Sequence, residues 1–325
     1  MSRAPGYLKQ LAAIGLVAVS ALVAAGAAAA EPSQDSAGGI EKVVVVGLDG
    51  TMFRKVQEAK ATRLLRLAAE GTLGQRSIAP HITVSGPSWA SVLTGVWDTK
   101  HGIKDNNFTA APFAKYPTVF TRAERARPAL DTRSIASWDR IPVMSGSGTP
   151  HADVDIATRK PPADPTEQKI DAATTDLDVD AITKAGPDLL FTHLDQVDTA
   201  GHSHGGASRD YLDAVTRVDA LVGRIVDAVD ARAKAHPRER WNIIVTCDHG
   251  HKPGGGHGGQ SADETANFVI ARGPAFRRGV TTGAHSLIGV TPTVLDLLGV
   301  PADPVFDGKS MVDNRSPRST AEATK

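Results

Sequence analysis

Several stretches of this chain are apolar at every position rather than at every second one. Residues 42–48 read KVVVVGL, a β-branched run without alternation. A strand patterned in that way is covered on both faces, as in a parallel sheet packed between helices. Residues 189–194, 243–247 and 268–271 are further, shorter strand candidates. Between residues 194 and 243, Tyr211, Val215, Val218, Val222, Ile225 and Val229 recur at helical spacing. They predict one long amphipathic helix whose apolar stripe faces the core. Leu64, Leu65, Leu67 and Ala68 predict a helix that stops at Gly71, and residues 290–298, with Pro292 near the start and Gly299 behind, predict another. Strands alternating with helices predict an α/β fold, with a mainly parallel central sheet and helices on both faces.

Composition narrows the class. With 325 residues, 41% hydrophobic and 22% charged, the chain is an ordinary globular protein of one large domain, or one domain with an insertion. Lys and Arg number 36, as do Asp and Glu, so no net charge draws the chain to nucleic acid or to an acidic membrane. Arg3 and Lys9, an apolar run over 11–27 and then Ala28-Ala29-Ala30 predict a cleaved export signal over 1–30. The run is short for a span of ~20 residues and no basic stop-transfer cluster follows, so a secreted or periplasmic protein without a stable membrane anchor is expected. Residues 31–40 read as a flexible leader and 314–325 as a disordered polar tail. Cys247 is the only cysteine, so stability rests on the core and on metal rather than on a disulfide. Strand alternation turns it away from Asp248 into buried surroundings.

Ligands of open α/β sheets bind beyond the carboxyl ends of the strands, and there this chain changes character. Asp49 follows the first strand; Asp195, Asp198 and His202 follow the strand ending at Leu194; Asp248 and His249 follow Cys247, with His257 soon after in a glycine-rich loop. A lone Asp at a strand end is usually a helix cap, and a lone His is usually structural. Together they are carboxylate and imidazole donors converging on one sheet edge, a set that suits zinc, with manganese or another divalent transition metal also fitting. The count exceeds the three protein ligands of one catalytic zinc, so two ions fit better. Glycines in D-T-A-G-H, D-H-G and H-G-G read as places where backbone passes close to a bulky ion.

The segment 83–95, TVSGPSWASVLTG, predicts a helix with Pro87 in its first turn and Gly95 at its stop. Ser85 then sits just before the helix N-terminus, where the dipole and free N–H groups favour an anion. A serine there is an ordinary N-cap, and it is also placed to attack a bound phosphate. Ser88 and Ser91 lie further inside the helix.

These segments together resemble the alkaline phosphatase superfamily, in its type I phosphodiesterase/nucleotide pyrophosphatase branch. The residues that carry the likeness are V-G-L-D-G at 46–50, the block 85–95 with His101-Gly102-Ile103 and Asn106, D-T-A-G-H at 198–202, D-H-G at 248–250, H-G-G at 257–259, and T-P-T-V-L at 291–295 through D-G-K-S at 307–310. The resemblance implies an alkaline phosphatase-like catalytic domain over 41–313. Asp198, His202 and His257 would hold one zinc, and Asp49, Asp248 and His249 the other, with Ser85 as its fourth ligand. Asn106 would hold a non-bridging phosphate oxygen. The activity implied is hydrolysis of phosphodiester or nucleotide pyrophosphate bonds of a small-molecule ester through a phosphoseryl intermediate, with the metal lowering the pKa of the Ser85 hydroxyl.

The chain departs from that branch in three places. The nucleophile is Ser where the branch has Thr. Gly86 replaces the Phe that helps pin a nucleobase, and Ser88-Trp89 replaces an Asn-His pair. His204 and His251 are additional histidines, read as neighbours of the ligand set or substrate contacts. A sulfatase is the nearest rival, but its Cys/Ser-x-Pro-x-Arg motif lacks the arginine here, where Trp89 stands. Phosphomonoesterases and phosphonate hydrolases would use the same groups. A non-catalytic metal- or ligand-binding protein of the same fold would have no need of Ser85.

Overall fold

The computed structural model describes residues 39–107 and 111–313. The export signal, almost all of the leader and the tail lie outside those residues. The eight strands are β1 (Ile40–Leu48), β2 (Thr72–Ser77), β3 (Thr132–Ala136), β4 (Val154–Ala157), β5 (Leu189–Leu194), β6 (Glu239–Thr246), β7 (Ala266–Arg272) and β8 (Val280–Thr282). They form one sheet in the order β4-β3-β5-β1-β6-β7-β2-β8. From β4 to β6 every pair is parallel. β7 runs antiparallel to both β6 and β2, so the mainly parallel sheet carries one reversed strand.

β1 explains why its sequence does not alternate. Val43 and Val45 join the core on one face of the sheet, with Trp89 and Phe191. Val44, Val46 and Leu48 join the core on the other, with Tyr211 and Val218. Successive side chains point to opposite faces, and here both faces are dry, so every position must be apolar. The helices that cover them include α1 (Thr62–Glu70), α2 (Ser85–Thr94), α3 (Gln168–Asp180), α4 (Gln196–His204), α5 (Arg209–Ala235) and α6 (Val290–Leu297). α5 starts at an Ser208 cap whose side chain accepts from Tyr211 N, and all six residues of its predicted stripe are buried. Each such buried side chain contributes about 1.5–3 kcal/mol, which holds this helix against the sheet.

One packing contact aims the site. Asp195 stands at the N-cap of α4, but its side chain makes no cap bond. The Asp171 carboxylate on α3 accepts the Asp195 N–H (2.9 Å), the Gln196 N–H (3.0 Å) and Gln196 Nε2 (3.0 Å) instead. A cap supplied by a neighbouring helix satisfies the first orphan donor of α4 and the N–H of the residue before it. It also fixes the direction of the helix that carries Asp198 and His202.

Candidate metal centre

β1 lies between β5 and β6, so the carboxyl ends of the three strands are adjacent. Asp49 N–H donates to Leu194 O at 3.0 Å, which levels the end of β1 with the end of β5. Asp49, Asp248 and His249 are almost wholly buried, and ligating atoms of the three lie within 4.8 Å of one another. His249 Nε2 is 3.7 Å from Asp49 Oδ1 and 3.1 Å from Asp248 Oδ2. Ser85 Oγ faces this group, 3.2 Å from His249 Nε2 and 3.4 Å from Asp49 Oδ1.

The second group forms around Asp198. His202 Nε2 lies 3.3 Å from its Oδ2, and His257 Nε2 lies 3.6 Å from its Oδ1. The two imidazole nitrogens, His202 Nε2 and His257 Nε2, are 2.9 Å apart. The fold therefore brings Asp49, Ser85, Asp198, His202, Asp248, His249 and His257 into one cluster. His251 is closer than the sequence suggested: its Nε2 is 2.7 Å from Asp198 Oδ1, and Asp198, His249, His251 and His257 place ligating atoms within 4.8 Å of one another. His204 points elsewhere, half exposed and 4.0 Å from Asp210.

The electrostatics fit a cation. Burial, then Asp49 and Asp198, push the Asp248 carboxyl well above its usual range. Burial and Asp198 also push Asp49 up, but the hydrogen bond from His193 and the neighbouring imidazoles outweigh them and hold it low. Burial opposes ionisation of Asp198 too, and its hydrogen bonds with His202 and His251 override that and hold it well below the usual range. Burial and His257 lower His249 to about 3, so its ring is neutral and a metal ligand in type. Asp248 Oδ2 is buried without a hydrogen-bond partner, the approach of His249 lacking the geometry for one. A buried carboxylate oxygen without a donor, beside imidazole nitrogens turned toward one another, is a donor set that fits a metal ion.

One expectation is corrected. Ser85 does not precede the helix. It is the first residue of α2, Val84 takes the cap position, and no side chain caps the helix there. The Ser85 hydroxyl turns instead to Asp49 and His249. Gly201 of the D-T-A-G-H motif and Gly50 after β1 both border a histidine ring. A Cβ on Gly201 would lie 2.5 Å from His251 Cδ2, and one on Gly50 (φ +61°) would lie 2.7 Å from His251 Nε2. Both yield to the buried His251 ring.

Asn106 reaches the start of α2, where its Oδ1 accepts the Gly86 N–H at 2.8 Å. That leaves its Nδ2 as the donor beside Ser85, while Pro87 has no N–H to offer. The H-G-I segment turns out to brace the same helix. His101 accepts the Ile103 N–H at Nδ1 (3.1 Å) and meets Ser91 Oγ with Nε2 (3.0 Å), while Ser91 donates to Pro87 O (2.9 Å). Burial lowers His101 to about 4, in keeping with a neutral structural ring. Tyr211, read as part of the core stripe, also grips the turn after β1: its hydroxyl donates to Gly50 O (2.5 Å) and accepts the Met52 N–H (3.2 Å). Its place in the apolar stripe hid the second role of its hydroxyl.

The model of the type I phosphodiesterase/nucleotide pyrophosphatase family matches residues 43–270. The chain belongs to that family. Among curated proteins it is similar to the 2,3-bisphosphoglycerate-independent phosphoglycerate mutase of Ruegeria pomeroyi, 28% identical over 67% of this chain and 38% of the relative. It is also similar to human ectonucleotide pyrophosphatase/phosphodiesterase family member 7, 24% identical over 72% of this chain and 52% of the relative. The chain thus spans between 38% and 52% of the length of these two relatives. Two solved structures share the fold. One is murine ectonucleotide pyrophosphatase/phosphodiesterase 5 (TM-score 0.64, 15% identity, 81% of this chain and 96% of that one). The other is a 2-O GAG sulfatase (TM-score 0.66, 14% identity, 83% of this chain and 73% of that one). Among the described residues no helix is long and apolar enough to cross a membrane.

Proposed function

We propose that this family member is a hydrolase of phosphate esters, with Ser85 as its nucleophile and two divalent metal ions, zinc in the first instance, as its cofactors. One observation carries the reading. Ser85 Oγ is held at the first turn of a buried helix, 3.4 Å from Asp49 and 3.2 Å from His249, at the edge of a carboxylate–imidazole cluster. Asp49, Asp248, His249 and Ser85 would hold one ion, and Asp198, His202 and His257 the other, with His251 a further candidate on Asp198. Bound divalent ions supply positive charge that acidifies a serine hydroxyl and offsets charge gathering on the oxygens at phosphorus.

The chain's own groups supply the rest. Ser85 Oγ forms a bond to phosphorus as the bond from phosphorus to the leaving oxygen breaks, which leaves a phosphoserine. Water then attacks that phosphorus, and the Ser85 hydroxyl is regenerated. Asn106, fixed through Oδ1 on Gly86, would aim its Nδ2 at a non-bridging oxygen, where a preorganised donor favours the developing charge.

A diester or nucleotide pyrophosphate bond is the favoured substrate. No arginine in residues 107–187 matches a recognisable clamp for the extra charge of a monoester. Assays of aryl phosphate diesters and monoesters on the same zinc-loaded protein should give the larger kcat/KM for the diester. A monoester turned over far faster would remove the substrate class and leave the metal chemistry standing.

Residues 41–313 are taken as the catalytic domain, delivered across a membrane by the segment over 1–30. N-terminal sequencing of the exported protein should begin near Glu31; an exported chain that retains its first 30 residues would refute the cleavage.

A further inference from the structure

Trp89 stands where the family branch carries a histidine, and the proposed mechanism leaves it without a part. Its surroundings assign it one. The indole is completely buried on α2 and its Nε1–H donates to Asp49 Oδ2 at 2.7 Å. His193, also completely buried, meets the same oxygen with Nε2 at 2.9 Å. A carboxylate oxygen only accepts, so both nitrogens carry hydrogen toward it. The opposite His193 nitrogen, Nδ1, has no partner. Asp49 Oδ1 is the oxygen left over, and it faces Ser85 Oγ at 3.4 Å and His249 Nε2 at 3.7 Å.

The packing around these two donors is specific. The Trp89 ring stands edge-on to Phe191 (6.0 Å, 79°) and to His193 (5.0 Å, 79°). Trp138 closes the other side of His193 at 6.1 Å. The indole crosses β1 at Gly47, where a Cβ would lie 2.6 Å from Trp89 Cη2. A glycine in the middle of a buried strand weakens it; here it admits the ring that reaches Asp49. Space filling alone would not require a nitrogen at that point, since a buried indole N–H must find an acceptor.

We propose that Trp89 and His193 are positioning residues that together hold Asp49 by Oδ2, so that Asp49 offers only Oδ1 to the metal and to Ser85. The proposal rests on the reading of Asp49 as a metal ligand. With Oδ2 occupied twice, the carboxylate cannot swing to grip an ion with both oxygens, and the line from Asp49 to Ser85 stays fixed. Groups that orient a ligand in this way typically change metal affinity or activity by 10–100-fold when lost. Asp49, His193 and Asp195 also place ligating atoms within 4.8 Å of one another, which is the alternative reading of His193 as a ligand of a third ion.

Zinc titration of the metal-free full chain by chelator competition separates these readings. Trp89→Phe keeps a buried aromatic ring and removes the N–H. His193→Gln keeps a donor, and His193→Phe does not. Trp89→Phe and His193→Phe should each weaken one of two zinc equivalents by roughly 10–100-fold and leave the other within about threefold. In the loaded enzyme kcat should fall more than KM rises, and His193→Gln should recover most of both losses. Unchanged affinity in Trp89→Phe and His193→Phe overturns the proposal, as does equal weakening of both equivalents or an identical response of Gln and Phe at His193. A third equivalent lost on His193 replacement also overturns it, in favour of an ion at Asp49, His193 and Asp195. If Trp89→Phe does not fold, the comparison at His193 decides alone. Failure of the underlying ligand assignment would show separately, as an Asp49→Ala chain that still binds two equivalents at wild-type affinity.

Discussion

Replacing Ser85 by alanine should lower turnover by about 10³- to 10⁶-fold, the range for removal of a catalytic nucleophile, with both metal ions retained. The expectation rests on the geometry of one oxygen. Ser85 is the first residue of α2, its hydroxyl does not cap the helix, and it points at Asp49 and His249. Ligand identity elsewhere is untouched by the substitution. One group of Asp49, Asp248 and His249 keeps three donors, and Asp198 with its histidines lies on the other side. Turnover and metal content should therefore separate. Metal analysis and kinetics on one preparation read both quantities. A second readout is stereochemical. Two successive displacements at phosphorus, first by Ser85 and then by water, leave its configuration retained overall. A Ser85→Ala protein of near-normal activity, or inversion with the native protein, would mean that water attacks directly and that Ser85 is no nucleophile.

The second large effect concerns the ligands. On the proposed two-zinc reading, Asp49→Ala and His257→Ala should each reduce bound zinc from about two ions per chain to about one and abolish turnover, because both ions would supply positive charge for the reaction at phosphorus. The two variants should lose different ions. Asp49 is grouped with Asp248 and His249, whereas His257 is grouped with Asp198. Re-titration with zinc and competition by a chelator read the affinity of the ion that remains. In Asp49→Ala the loss should be accompanied by a disturbed Ser85, and in His257→Ala by a disturbed His202, whose Nε2 lies 2.9 Å from His257 Nε2. One tightly bound ion sufficient for full activity, or calcium alone in the purified protein, would remove the two-zinc reading.

The part each histidine plays was unevenly legible. His249 and His257 could be read in sequence because each stands in a short motif behind a strand, and strand ends converge in a parallel sheet. His251 was visible only as an additional histidine near that set. Its place on Asp198 depends on Gly50 and Gly201, which come from separate segments and leave space for one ring. Gly201 read in sequence as clearance for an ion, because a glycine reports that something passes close without reporting what. His193 carried no signal, since it lies inside an apolar strand and its partner Asp49 is 144 positions away. Ser85 was recognised as a residue at a helix start, yet capping and nucleophilic placement share one sequence pattern; the structure shows only that its hydroxyl leaves the helix uncapped and faces Asp49 and His249.

By itself the sequence determined the layers of the fold and the chemistry at one sheet edge. Unbroken apolar runs mean strands buried on both faces, a helical stripe means a helix lying on them, and carboxylates and imidazoles directly behind the strands have only the carboxyl edge to occupy. Those are local consequences of side-chain period and of donor type. Tertiary structure alone decided that β7 runs antiparallel, that Asp171 caps α4 from a neighbouring helix, and that Trp89 and His193 meet on one oxygen of Asp49. Each depends on groups far apart in the chain being brought within hydrogen-bond distance. The preference of a single residue carries no record of the partner that packing will place opposite it.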